Sequence, residues 1–358
     1  MIASSAGAKV RVPQTLRTLF ERPRTIVGPV GDFVWIWGSP ILALGIIHLL
    51  LGIPAINRDV VIGEDTTVVA FGLSALTFAH LLPVFLRSHL NPTIRRKYPF
   101  RFFVVPPVLI AGMALSSSAL IVGGVIAGFW DVYHTAQQNF GLGRIYDARA
   151  GVADDRTRRA DRLISHVLYL GPIIAGASFL EHMSEFDSVE QIGWNWLSRA
   201  PENLSPKVEA IRIGAIGIMC LGVVLYLLHA RRSAQKGAPA SLHKVVLMTT
   251  SAVIQIAAWG FSSPLVAFMT VNLYHAVQYF ALVWHLEGRN ASSYLRIKTR
   301  SARLPIGILV VFAVPALFGY LVNTVVTDQS WINAAFLSVS LLHFWMDGFI
   351  WSVRTKSV

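Results

Sequence analysis

The sequence predicts an all-α fold, a polytopic transmembrane helix bundle of about ten helices with both termini cytoplasmic. Three observations carry that prediction. Hydrophobic residues make up 54% of the chain and charged residues only 14%, where soluble domains carry about a quarter charged. The apolar residues arrive in runs near the roughly 20 residues that cross a hydrocarbon core, and mean hydropathy is +0.55. Lys and Arg, which set the formal net charge of +12, gather in the short segments between those runs. That placement assigns the basic charge to membrane orientation and argues against nucleic acid as a partner.

Residues 1–32 carry Lys9, Arg11, Arg17, Arg22 and Arg24, with Pro13 and Pro23 between them and no apolar h-region. They read as a cytoplasmic N-terminal tail, followed by a transmembrane helical domain over 33–353 and a short cytoplasmic tail, 354–358. Within the domain the apolar runs predict spans at 34–54, 66–87, 102–118, 120–142, 163–180, 208–230, 243–261, 264–286, 304–326 and 331–352. The third span contains Pro106-Pro107, and only Ser116-Ser117-Ser118 separates it from the fourth. With the N-terminus inside, the basic loops Arg87–Arg101, Arg144–Arg162, Arg231–Lys244 and Arg289–Arg303 share its side with Arg354 and Lys356. Asp59, Glu64, Asp65, Glu181, Glu185, Asp187, Glu190 and Asp328 fall opposite. The expected location is therefore the inner (cytoplasmic) membrane, crossed an even number of times. The loop 181–207, with Trp194 and Trp196, reads as an interfacial segment. Trp35, Trp37, Trp284, Trp331 and Trp351 read as interface anchors. The single Cys220 excludes an intramolecular disulfide.

Ionisable residues inside a span are expensive and mark functional sites. Four histidines qualify by depth: His80, His134, His275 and His343 each lie two or three turns short of a cytoplasmic helix end. At 1.5 Å rise per residue their imidazoles fall in one slab of the inner leaflet. Neutral imidazole suits Fe, Zn, Cu and Ni, so a metal cage built from four helices is geometrically open to the chain. Positions three and four apart share a helix face, which sets Asp131 and Gln138 beside His134, Gln278 and Tyr279 beside His275, and Asp347 one turn from His343. Asp131 and Asp347 suit the carboxylate role of holding a ligand imidazole, or ligate directly. His48 lies at another depth and reads as structural. His166, His229, His243 and His285 sit near helix ends, where they snorkel to water or cap the dipole. His89 sits just past a span end. Gly141-Leu142-Gly143 follows a helix, not a strand, so there is no dinucleotide fingerprint; HExxH and Walker A motifs are absent.

At these four positions the sequence resembles the bacterial Brp/Blh family of membrane β-carotene 15,15′-dioxygenases, which cleave β-carotene to retinal. The stretch from Pro264-Leu265-Val266-Ala267-Phe268-Met269-Thr270 through Tyr274-His275 to Phe280-Ala281-Leu282-Val283-Trp284 looks like the family helix that bears paired histidines. His343 with Asp347-Gly348-Phe349-Ile350 looks like its last helix. His134 and His80, the latter before Leu81-Leu82-Pro83, fall at the spacing of its two earlier histidines. The four islands cover about a fifth of the chain. The resemblance implies a helical bundle holding non-haem Fe(II) by histidines, with O2 as co-substrate and an apolar polyene drawn from the bilayer. It supports His80, His134 and His275 as ligands. One departure bears on the chemistry: Tyr279 stands where the family has a second His, leaving His343, Tyr279 or Asp131 as fourth ligand. Extra helices are a second departure.

The expected function is a membrane-embedded, non-haem iron oxygenase acting on a lipophilic small molecule, with carotenoid cleavage as its most specific form. Tyr279, Asp131, Asp347 and Gln138 are the candidate catalytic residues around the histidines. The alternatives are a haem protein with two of these histidines as axial ligands, and a proton-coupled transporter relaying through Asp131, His134 and Asp347.

Overall fold

A computed structural model describes residues 24–50, 64–176, 179–325 and 329–351. The basic residues up to Arg22, the loop acids Asp59 and Asp328 and the tail 354–358 lie outside the described residues. Among those described the structure is almost entirely helical, with no strands. The main helices are α1 (Ser39–Leu50), α2 (Glu64–Ala79), α3 (Val105–Leu115), α4 (Ser117–Arg149), α5 (Asp155–Ala175), α6 (Val208–Gln235), α7 (Leu242–Phe261), α8 (Pro264–Leu286), α9 (Val314–Thr324) and α10 (Ser330–Ile350). Five helical stretches are long and apolar enough to cross a membrane: Ser117–Arg149, Ala200–Gln235, Leu242–Phe261, Pro264–Leu286 and Arg300–Thr324. The number rises to seven if two bent pairs each form one span, Pro29–Ile36 with Ser39–Leu50 and Asp155–Ala175 with Phe179–Ile192. The chain is a membrane-type helix bundle.

Its packing is inverted relative to a soluble protein. Ile213, Leu225 and Leu227 of α6 are 65, 56 and 60% exposed, while His80, His134, His275, His343 and Gln278 are buried. Large apolar side chains face outward because lipid solvates them, and polar ones turn inward because lipid does not. α8 is the axis of the bundle, its side chains contributing to the two largest apolar clusters, with Val266 and Tyr274 in one and Tyr279 and Val283 in the other.

Side-chain contacts fix the register of the neighbours. Tyr226 Oη donates to Asp161 at 2.9 Å, and Gly222 and Gly171 abut Val167 and Met219, so α5 and α6 run antiparallel. Lys244 meets Asp147 and Ser251 meets Asn139, which sets α7 antiparallel to α4. α10 runs parallel to α4, with Gly123 against Leu337 and His134 against His343. Helix starts follow from local chemistry. The serine break predicted between the third and fourth spans is an extended Ser116 whose hydroxyl accepts from Ala119 N at 3.2 Å, capping α4. Asp154 caps α5, and hydrogen bonds from Arg156 hold its carboxyl down at about 2.

The ends of the bundle that carry the basic loops are tied by buried ion pairs. Lys244 Nζ lies 2.7 Å from Asp147 and 3.1 Å from Asp161, and Arg144 adds a contact to Asp161 at 3.2 Å. Arg87 pairs with Glu287. Asp32, at the end of the segment read as a tail, is buried and accepts from Ile26 N, Val27 N and Tyr146 Oη. These latches set the depth at which α2, α4, α8 and α10 meet.

Candidate metal centre

The site begins with a break in the second helical stretch. Pro83 has no N–H and disfavours helix in the residue before it. Around it the ladder tightens: Leu81, Leu82 and Phe85 donate three residues back, to the carbonyls of Phe78, Ala79 and Leu82. The carbonyls of Thr77 and Leu81 are thereby released from the α-helical pattern. Imidazoles take both. His80 Nδ1 donates to the Thr77 carbonyl, and His343 Nδ1 donates to the Leu81 carbonyl at 3.0 Å. A carbonyl only accepts, so each ring carries its proton on Nδ1 and presents the lone pair of Nε2.

Those lone pairs converge. His80, His275 and His343 each offer a nitrogen within 4.8 Å of the others, and His134, His343 and Asp347 form a second such group through the shared His343. Ring centroids lie 4.8–5.2 Å apart around the four histidines, all edge to face. His134 Nε2 and His343 Nε2 approach to 3.1 Å. His80 Nε2 and both nitrogens of His275 are buried and have no hydrogen-bond partner among the described residues. Each such orphan costs about 1–3 kcal/mol, and one nitrogen of each ring faces the shared group with His343. Two nitrogens on one ion at the usual 2.0–2.1 Å stand about 3.0–3.4 Å apart. The His134 and His343 nitrogens already stand at that separation, and neutral imidazoles gathered in this way are donors that suit a transition metal.

Asp347 completes the arrangement. Its Oδ1 accepts from Tyr279 Oη at 2.9 Å and Trp351 Nε1 at 2.8 Å. Its Oδ2 is left 3.8 Å from His134 Nε2 and 3.7 Å from His343 Nε2. One oxygen is anchored, the other faces the cluster. Tyr279 packs on His343 with ring centroids 4.8 Å apart, its hydroxyl committed to Asp347.

The other expected residues fall elsewhere. Asp131 lines a separate cavity, and no hydrogen bond or ion pair joins its carboxylate to His134 among the described residues. Gln138 holds backbone instead of a ring: its Nε2 donates to the His275 carbonyl at 3.1 Å and to Gln278 Oε1 at 3.0 Å. Gln278 in turn donates to the Ile36 carbonyl at 2.7 Å. Trp351 is more than an interface anchor, because its indole N–H positions Asp347 and the Arg87 guanidinium lies 4.2 Å over its ring. His243 does not snorkel to water; it is fully buried and stacked on Tyr146 at 5.0 Å. Sequence reasoning also missed the Thr77 and Leu81 carbonyls, although a proline three residues past His80 was the signal that a turn of backbone would be set free.

Two cavities flank the cluster. One of about 610 Å³ reaches His134, Gln138, Tyr279 and Asp347. The other, about 650 Å³, reaches His80, Asp131 and Tyr169 and is walled largely by apolar side chains. Phe344 lines both, with His134 on one side and His80 on the other. No protein-family model, curated protein or solved structure matches the chain.

Proposed function

We propose that this chain is a membrane-embedded, non-haem iron oxygenase acting on a lipophilic substrate. The observation that carries the reading is the meeting of four histidines from four helical segments inside an apolar bundle, in two ligand groups that share His343, with the nitrogens of His80 and His275 left unpartnered. His80, His134, His275 and His343 would hold Fe(II), with Asp347 beside them. When bound, the iron supplies the electron transfer to O2 that no side chain offers. The chain's own residues do the rest. Thr77 and Leu81 carbonyls fix two imidazoles in the tautomer that ligates. Tyr279 and Trp351 aim the Asp347 carboxylate, and Phe344 and the apolar cavity walls exclude water and receive a hydrophobic chain. Carotenoid cleavage is the specific form that the sequence resemblance favours.

Topologically, we place ten spans in the inner membrane, with both termini and the basic loops on the cytoplasmic side. Haem fits less well. Ring centroids 4.8–5.2 Å apart in four of the six pairs leave no slot for a macrocycle between those rings.

The test is metal content of detergent-purified protein by mass spectrometry, wild type beside His134→Ala and His275→Ala. Iron bound without a Soret band, and lost in both variants, is the expected outcome. Protein free of metal after iron-replete, reducing growth would overturn the reading and bring the transporter forward.

A further inference from the structure

The cavity of about 610 Å³ differs from its neighbour in what stands at its rim. Four of its lining residues, His134, Tyr279, Phe344 and Asp347, belong to the cluster or touch it, while Arg158 and Arg162 of α5 line it at the basic end. The two arginines lie one helical turn apart and therefore share a face. Neither has a carboxylate partner among the described residues. The nearby arginines are otherwise engaged: Arg144 with Asp147 and Asp161, Arg156 with Asp154. Arg162 rests over the Phe140 ring at 5.2 Å, which holds its guanidinium at the cavity without neutralising it. Asp155 also lines the cavity near the two arginines, while the cavity's other carboxylate, Asp347, is held by Tyr279 and Trp351 at the histidine cluster. Arg158 is half-buried and Arg162 exposed, so both stand at the mouth of the cavity, open to water and headgroups while lining a space that reaches His134.

We infer that this cavity binds a single-chain amphiphile by an anionic head, carboxylate or phosphate, held by Arg158 and Arg162, with its apolar chain lying along Phe344 toward the histidine cluster. Guanidinium matches both oxyanions through paired N–H donors. A volume of this order suits one chain, not a diacyl lipid. Resting on the oxygenase reading, the inference narrows its substrate class from any lipophile to an acidic one that enters head outward.

Trp130, Trp345 and Trp351 line the same cavity, so binding is readable in intrinsic fluorescence without any turnover assay. Protein in nanodiscs of neutral lipid is titrated with a doxyl-labelled stearate and, separately, with its methyl ester, which has the same chain and quencher but no charge. Saturable quenching by the acid, at least about tenfold tighter than by the ester and weakened by added salt, is expected. Arg158→Gln with Arg162→Gln should weaken the acid about 10–100-fold and leave the ester unchanged, with Arg158→Lys restoring part of the loss. Competition by unlabelled oleate against oleyl phosphate then says which head is preferred. Equal binding of acid and ester, or salt-independent binding of the acid, overturns the inference, and the wild type alone decides that if the variants fail to fold. Iron is assayed on the same samples. Iron without head selectivity overturns only this inference, and head selectivity without metal overturns only the oxygenase reading.

Discussion

Asp347 makes two kinds of contact, and a conservative change separates them. Asn in its place keeps an acceptor for Tyr279 and Trp351 but turns an amide N–H toward His134 and His343, where a carboxylate oxygen now stands 3.8 and 3.7 Å away. Asp347→Asn should weaken metal binding about 10–100-fold, the usual effect of losing a group that supports ligands. Tyr279→Phe should do less, because Trp351 still holds the anchored oxygen. Competition titrations against a chelator measure both; the reverse order would remove Asp347 from its supporting role. At this scale the four histidines were legible from residue type and depth. The choice between Asp131 and Asp347 was not. Both stand within a turn of a candidate His, and only the rotation of α4 and α10 about their axes decides which carboxylate faces inward.

At the scale of the element, the break at Pro83 joins two helices to one site. An uninterrupted α-helix here would take the Leu81 carbonyl back into its own ladder and leave His343 Nδ1 without an acceptor. Pro83→Ala, which permits that ladder to re-form, should lower metal occupancy while leaving helical circular dichroism unchanged or slightly raised. Unaltered occupancy would show that the released carbonyl is not what orients His343. A second element-level constraint is the crossing of α2 with α9. A Cβ built on Gly319 would stand 1.9 Å from the Ala75 carbonyl, and Ser74 bonds Asn323 across the same contact at 2.7 Å. Gly319→Ala forces the helices apart, at a cost of about 1–3 kcal/mol by analogy with overpacked cores. It should lower the unfolding temperature in detergent and move His80, whose helix is displaced. An unchanged melting profile would mean that the crossing yields freely. Neither feature was readable as a contact in the sequence, since a glycine or proline in a span has many explanations until its neighbour is known.

For the whole molecule, the sequence was most informative about class and least about assembly. Long apolar runs and basic loops declare a membrane bundle, but the latches at its basic end join residues about a hundred positions apart, such as Lys244 with Asp147 and Asp161. No local pattern announces such pairs. Removing one partner of a buried pair leaves an uncompensated charge, so Lys244→Ala should destabilise the fold by about 3–5 kcal/mol, read as an earlier thermal transition than wild type. The orientation of the bundle follows from the same basic end. α5 and α6 run antiparallel by the pairing of Asp161 with Tyr226 and of Gly171 with Met219. Ala153, just before α5, and Asn195, between α5 and α6, must then lie at opposite ends of the helices. Both are exposed. In a Cys220→Ser background, the proposed topology, with Arg156, Arg158, Arg159 and Arg162 at the start of α5 on the cytoplasmic side, predicts that a membrane-impermeant maleimide labels Asn195→Cys in right-side-out vesicles and Ala153→Cys in inside-out ones. Labelling of both from one side would mean that α5 does not cross. The mirror pattern would keep the fold and invert the protein in the membrane, placing the arginine-rimmed cavity on the outer face.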